Sequence, residues 1–200
     1  MKYFIAHLLT GDVAEYHRSL TQTLSERFHV APLHKKVQSH LTVKIPFHAN
    51  PFELAQVEAR LEELASTRSA APLTFEGFGR FGFKTVYLDV TKSQRAVEVV
   101  RETVNYINEL PWMQRAPLEG NKLHASVARF MTYKKFRRVW RHVREERPRF
   151  ESSLDSLAIL KKESAESPWS LYRSFPLQEP SMARTEPLRS SESAPRAVFS

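Results

Sequence analysis

Apolar residues recur along this chain with two different spacings, one typical of strands and one typical of helices. Short segments rich in apolar and β-branched residues predict strands over 2–9, 39–47, 73–83, 84–90, 122–130, 154–161 and 169–177. Pro46 is expected to end the second of these strands. The segments 73–83 and 84–90 are consecutive, and the glycines within the first favour a hairpin in which the two strands pair.

Helical spacing occupies most of the remaining chain and predicts helices over 13–28, 51–66, 92–109 and 133–146. Asp12 is the expected N-cap of the first helix, and Pro51 opens the second. In the last helix an apolar stripe is predicted, which consists of Tyr133, Phe136, Trp140 and Val143.

The order of these elements predicts an α+β fold with antiparallel sheets, because several strands follow one another without an intervening helix. We expect residues 1–178 to form one domain of two similar lobes, since the pattern repeats roughly between the halves. Residues 179–200 are rich in Ser, Pro and Arg and are predicted to be a disordered tail. The sequence contains neither G-x-G-x-x-G nor G-x-x-x-x-G-K-S/T, two glycine-rich motifs that bind phosphate groups.

Composition restricts the classes of function. The absence of cysteine excludes thiol catalysis, disulfide frameworks and Cys-ligated zinc, and it suits a reducing cytoplasm. No apolar run is long enough to span a bilayer, and the segment "MKYFIAHLL" is interpreted as the first strand rather than a signal peptide. We therefore expect a soluble, cytoplasmic monomer.

Positive charge is concentrated in one region of the chain. The formal net charge is +8, and residues 134–149 contain eight Lys and Arg against two Glu. Such a segment favours polyanions, above all nucleic acid, although charge alone does not distinguish RNA, DNA and an anionic membrane surface. A solvated helix face and a role in guiding a nucleic-acid backbone are equally compatible with this bias.

Two predicted strands share the pattern of a histidine, any residue, a hydroxyl residue and an apolar residue. These are "HLTV" at His40 and "HASV" at His124. Because strand side chains alternate, His40 shares a face with Thr42, and His124 shares a face with Ser126. A single such pair would usually be structural. "HRSL" at His17 also matches, but it lies within a predicted helix, and we interpret it as a chance match.

Two matched imidazoles suit displacement at phosphorus. Histidine titrates near neutral pH, so one ring can act as a base while the other acts as an acid, and the neighbouring hydroxyls can bind the non-bridging oxygens. This chemistry requires no metal or cofactor. A reactive cytoplasmic diester of this kind is the 2′,3′-cyclic phosphate of RNA.

The paired motif resembles the signature of the 2H phosphoesterase superfamily, and its 2′-5′ RNA ligase-like branch in particular. The likeness covers about residues 2–177 and includes "YFIAHL", "HLTVKIPF", "FGFKTVYLDV", "HASVAR" and "SPWSLYRSFPL". It implies a bilobal fold with pseudo-twofold symmetry, in which two antiparallel sheets face a central cleft and helices pack outside.

For the active site, the resemblance implies that His40 and His124 are catalytic and that Thr42 and Ser126 bind phosphate. His124 would activate water and His40 would protonate the leaving 3′ oxygen, which gives a 2′-phosphate. By the same likeness Arg129 could contact phosphate, but strict alternation places it opposite His124 unless a bulge intervenes. Tyr172 could lie near the substrate base, or in the core.

Further candidates come from the faces of the strands. Lys44 shares the predicted face of His40 and could add positive charge to the cleft. Phe78, Phe81 and Phe83 could be core residues or could stack on bases.

Three functions remain open from the sequence. The first is a metal-independent phosphodiesterase acting on cyclic phosphates of RNA or nucleotides. The second is 2′-5′ ligation, or cleavage of a 2′-5′ linkage, on the same fold. The third is a non-catalytic module that binds RNA through the basic helix.

Overall fold

The structure, a computed structural model, describes residues 1–116, 120 and 122–179. The strands are β1 (Lys2–Leu8), β2 (His40–His48), β3 (Ala71–Phe81), β4 (Thr85–Lys92), β5 (His124–Ala128), β6 (Arg149–Leu154), β7 (Ser156–Lys162) and β8 (Ser170–Pro176). The helices are α1 (Gly11–Phe28), α2 (Leu33–Lys36), α3 (Pro51–Thr67), α4 (Gln94–Asn108) and α5 (Tyr133–Val143).

The strands form two four-stranded sheets with the orders β2-β1-β7-β8 and β5-β4-β3-β6. Every pairing within these sheets is antiparallel. The two strands that carry the histidine motifs, β2 and β5, lie at corresponding edges and contact each other across the lobes. The predicted α+β fold with two antiparallel sheets and pseudo-twofold symmetry is thus confirmed.

The helices pack on the sheets and enclose one large apolar core, and a second, smaller apolar cluster consists of Phe4, Ala6, Ala158 and Leu160. Helix α3 packs on β7 and β8, whereas α1 and α5 pack on the second sheet, and α4 contacts strands of both sheets. The apolar residues that alternate with the motif side chains are buried, namely Leu41, Val43, Ala125 and Val127. Their burial fixes which face of each strand remains available to a ligand.

Side-chain caps fix the start of three helices, α3, α4 and α5. The Asn50 side chain accepts a hydrogen bond from the backbone N–H of Glu53, and the Glu53 carboxylate accepts one from the backbone N–H of Asn50. Ser93 caps α4 and Thr132 caps α5, and in each case the side-chain oxygen accepts a hydrogen bond from the backbone N–H three residues later. The prediction for α1 was wrong, because its N-cap is Thr10 and Asp12 lies inside the first turn, where its charge favours the helix dipole.

Strand β2 continues past Pro46 to His48, contrary to the prediction. In the part of the chain that the structure describes, β2 is an edge strand that pairs with β1, and a proline is tolerated there because its missing N–H interrupts no second ladder. The sequence also did not predict β6, whose segment "RFESSL" is mostly polar and has only Leu154 buried. Helix α5 ends at Val143 rather than at 146, and Tyr133, assigned to its apolar stripe, is 57% exposed.

The predicted tail lies almost entirely outside the described residues, and its disorder stays a prediction. No helix of the part that is described has both the length and the apolar character needed to cross a bilayer.

Candidate active site

The two motif histidines occupy equivalent positions at the starts of β2 and β5. In both rings Nδ1 lies against the carbonyl oxygen of the residue two positions earlier, at 2.7 Å from Gln38 for His40 and 3.0 Å from Lys122 for His124. A carbonyl oxygen can only accept, so each Nδ1 carries the proton. In the neutral rings Nε2 is therefore the atom that can accept a proton from a substrate.

Both histidines line a single cavity of about 230 Å³ between the lobes. Its polar lining consists of His40, Thr42, His124, Ser126 and Arg129, and its apolar lining consists of Phe4, Val37, Ile45, Pro46 and Trp169. The structure thus brings together five of the six residues predicted to form the site.

Arg129 reaches the cavity because a bulge in β5 interrupts the strict alternation that would otherwise place it opposite His124. The pairing of β4 with β5 shifts by one residue between Ser126 and Ala128, and both Val127 and Ala128 are buried. The residue after this bulge returns to the face of His124. A cationic guanidinium, two hydroxyls and two imidazoles consequently surround one small space, a set suited to an anion.

Burial sets the protonation of the site. It lowers the pKa of His40 to about 4, while the hydrogen bond to Gln38 opposes the shift. The positive charge of Arg129, and that of His17 or His124 whenever either ring is protonated, lowers this pKa further. Burial also lowers the pKa of His124, with a smaller contribution from Arg129. Both rings are therefore neutral at pH 7 in the free protein, and an anionic ligand would favour protonating one of them.

Two candidate residues, Lys44 and Tyr172, do not line the cavity. Lys44 is fully buried and donates a hydrogen bond to the carbonyl of Gln114, because register shifts between β1 and β2 interrupt the alternation on which its predicted position depended. Ile45 lines the cavity instead.

Tyr172, predicted to lie near the substrate base, is directed away from the cavity. Its ring packs against Tyr3, with centroids 5.9 Å apart, and its hydroxyl donates to Glu58 of α3 at 3.1 Å. Its expected position near the base came from the likeness to the family, whereas in the structure this residue lies on the side of the sheet that faces α3. The contacts of Tyr172 are those of a residue that anchors α3.

Comparison with known proteins agrees with this arrangement. The family model described as the 2′-5′ RNA ligase superfamily matches residues 12–166. That match covers well over half of the chain and includes both histidine motifs. The chain belongs to the 2′-5′ RNA ligase superfamily. No curated protein sequence matches it.

Solved structures share the fold of this superfamily member at low sequence identity. TT0787 of Thermus thermophilus is 19% identical, with a TM-score of 0.65 over 90% of this chain and 99% of its own. E. coli LigT complexed with 3′-AMP is 14% identical, with a TM-score of 0.64 over 89% and 98%. Kluyveromyces marxianus Usb1 is 17% identical, with a TM-score of 0.53 over 88% and 98%.

In this superfamily member a third histidine joins the two motif strands. His17 is buried in α1, where its Nε2 lies 2.9 Å from the carbonyl oxygen of Ser126 and its Nδ1 lies 2.9 Å from the hydroxyl of Ser39. Nε2–H must donate to the carbonyl, so Nδ1 accepts from the hydroxyl. The ring thereby connects the residue before His40 to the residue two after His124.

The interpretation of "HRSL" as a chance match missed this role of His17. A usable signal was present, because position 17 falls between the buried Val13 and Leu20 on the helical stripe. Burial lowers the pKa of His17 to about 4, so the ring remains neutral and both hydrogen bonds persist at pH 7.

Aromatic side chains support the motif histidines from both lobes. The Phe4 ring lies 5.1 Å from that of His40, and the rings of Phe81 and Tyr87 lie 4.8 and 5.2 Å from that of His124. These contacts restrict ring rotation and displace water, which accounts for the burial that lowers both pKa values. Within the described residues, no group of three or more His, Cys, Asp or Glu is placed to hold a metal ion.

Proposed function

We propose that this protein is a metal-independent phosphodiesterase that opens 2′,3′-cyclic phosphates at RNA ends or on nucleotides and leaves 2′-phosphates. The observation that carries the proposal is the single cavity lined by His40, His124, two hydroxyls and Arg129. Membership of the 2′-5′ RNA ligase superfamily supports the same class of chemistry.

The reaction follows from the protons that the rings can hold. Nε2 of neutral His124 takes a proton from water as the water oxygen bonds to phosphorus. The bond from phosphorus to the 3′ oxygen breaks, and protonated Nε2 of His40 gives its proton to that oxygen. The hydroxyls and Arg129 donate hydrogen bonds to the non-bridging oxygens as their negative charge increases.

The lowered pKa of His40 bears on its role as the acid, because only the protonated ring can donate a proton. His40 is neutral in the free protein at pH 7, so it must gain a proton when the substrate binds. The negative phosphodiester supplies the reason, because an anion beside the imidazole raises its pKa and offsets the charge of Arg129. Substrate binding and protonation of His40 are thus coupled.

Purified protein should turn over an RNA with a 2′,3′-cyclic phosphate end in the presence of EDTA. Replacing either His40 or His124 with Ala should reduce kcat by roughly 10²–10⁴-fold, the usual contribution of a general acid or base. As a control, His48→Ala removes an exposed histidine outside the cavity. Wild-type rates in both motif variants would refute the proposal.

Ligation is a second candidate, because the matching family model carries the name of a ligase. In ligation a 5′-hydroxyl would attack the cyclic phosphate in place of water, so His124 would take the proton of that hydroxyl and His40 would again protonate the leaving 3′ oxygen. Product analysis with and without an RNA bearing a 5′-hydroxyl distinguishes ligation from hydrolysis. If the wild-type protein forms no product from any of these RNAs but binds them in a salt-sensitive way that does not change when both histidines are lost, the protein would instead be a non-catalytic module.

A further inference from the structure

A group of exposed aromatic rings lies beside the cavity on the His124 side. Phe83 follows the end of β3, Phe130 follows β5, and Tyr133 begins α5, with exposed fractions of 53%, 79% and 57%. The rings of Phe83 and Tyr133 meet edge to face, with centroids 5.1 Å apart. We call Phe83, Phe130 and Tyr133, together with Arg80 and Arg137, the aromatic–arginine surface.

Arginines are interleaved with these rings. The guanidinium carbon of Arg80 lies 5.6 Å from the centroid of Phe83, and that of Arg137 lies 5.9 Å from Tyr133. Segments 78–88 and 128–144, which supply the surface, contain nine Lys and Arg and no Asp or Glu. Among the described residues, neither arginine forms an ion pair with a carboxylate, so both charges are available to an anion.

The surface is continuous with the candidate active site. Arg129, which lines the cavity, lies over the ring of Phe130 at 4.9 Å from its centroid. On the other side, Phe81 is 42% exposed and contacts both His124 and Tyr87. A chain leaving the reacting phosphate can therefore pass directly onto the exposed rings.

These features match single-stranded nucleic acid more closely than other anions. Unpaired bases stack on aromatic side chains, and arginine binds the backbone phosphates between them. In a duplex the base faces are hidden, so exposed rings would find no partner there. A free phosphate or a mononucleotide would occupy the cavity and leave the surface bare.

We propose that the aromatic–arginine surface binds the single-stranded nucleotides adjoining the reacting phosphate, which makes an oligonucleotide end, rather than a mononucleotide, the preferred substrate. The substrate preference in this inference rests on the proposed function. The affinity for single-stranded RNA follows from the surface alone.

A matched control is available on the opposite part of the fold. Phe52 is 74% exposed near the start of α3, and its neighbour Glu53 is acidic rather than basic. Replacing Phe52 with Ala removes a ring that is more exposed than Phe83 or Tyr133 without touching the aromatic–arginine surface. Any general effect of losing an exposed phenyl group is therefore measured separately.

The first measurement is binding, which does not depend on turnover. In the His40→Ala, His124→Ala background, fluorescence anisotropy gives the affinity for a labelled six-nucleotide single-stranded RNA. We expect Phe83→Ala with Tyr133→Ala to weaken binding at least about tenfold, within the range of base stacking, and Phe52→Ala to leave it unchanged. Unchanged affinity in the double variant, or equal affinity for duplex RNA, would overturn the inference.

The second measurement compares substrates in the catalytically intact protein. The ratio of kcat/KM for a cyclic-phosphate hexamer to that for a cyclic mononucleotide should exceed one and should fall in the Phe83→Ala, Tyr133→Ala variant. A ratio that does not change overturns the inference while leaving the proposed function standing. Absence of turnover on both substrates overturns the proposed function, and the binding measurement then decides on the surface.

Phe83 also contacts the core residue Phe136, with ring centroids 5.4 Å apart, so its loss could affect folding. Tyr133→Ala alone, with thermal unfolding of each variant, keeps both measurements interpretable. Its expected effect is in the same direction and smaller.

Discussion

Protonation of His17 should destabilise the folded protein in mild acid. The neutral ring donates to the carbonyl of Ser126 and accepts from the hydroxyl of Ser39, and burial lowers its pKa to about 4. In the unfolded chain the pKa returns to about 6.5. Between these values the unfolded state binds a proton that the folded state rejects, so the stability present above pH 6.5 is lost as pH falls.

The magnitude follows from the shift. Each pKa unit corresponds to about 1.4 kcal/mol, so His17 should lower the free energy of unfolding by about 2 kcal/mol at pH 5 and about 3 kcal/mol at pH 4, relative to neutral pH. The ring is only 7% exposed, so screening by solvent reduces this little. His7, His40 and His124 also have lowered pKa values and add to the slope in the same direction.

Urea unfolding at several pH values between 7.5 and 4 separates these contributions. His17→Gln keeps a polar side chain at the position but cannot titrate, so its curve should lose the His17 part of the slope while retaining the rest. The exposed His48→Gln variant serves as the control for loss of a histidine. Parallel curves for the wild type and His17→Gln would show that the ring does not remain neutral and would refute the reasoning.

Three further outcomes are expected. Because both motif histidines have lowered pKa values, kcat/KM should reach its maximum below pH 6.5, and a maximum above pH 7.5 would contradict this. Gly79→Ala should reduce both Tm and turnover, since a Cβ there would overlap the ring of Tyr87, which contacts His124; retention of both values would argue against that packing. Asn50→Ala should lower the free energy of unfolding by about 1 kcal/mol in urea, with activity retained, because it removes the capping box of α3.

Strand alternation and the paired motif were sufficient to predict much of the site. His40 with Thr42, and His124 with Ser126, share the faces expected from a period of two, and their apolar neighbours are buried. This succeeded because the motif residues lie at the starts of their strands, ahead of any irregularity. Where a register shift intervenes, as before Lys44, alternation alone gives the wrong face.

The features that the sequence did not reveal depend on tertiary partners. His17 links the two motif strands because it donates a hydrogen bond to the carbonyl of Ser126, which lies 109 positions away in the chain. Strand β6 is mostly polar and is part of the sheet because its backbone pairs with β3. Tyr133 is exposed because Phe136, Val139 and Val143 already fill the buried stripe of α5. None of these relations is encoded in local periodicity.

A crystal structure of the protein with a nucleoside 2′-phosphate bound would test most directly whether the two imidazoles act on one phosphorus. We expect one phosphate group in the cavity, with its oxygens at hydrogen-bonding distance, about 2.7–3.0 Å, from Nε2 of both His40 and His124. Arg129 should contact the same group. A phosphate bound by only one of the rings, or bound outside the cavity, would contradict the proposed mechanism.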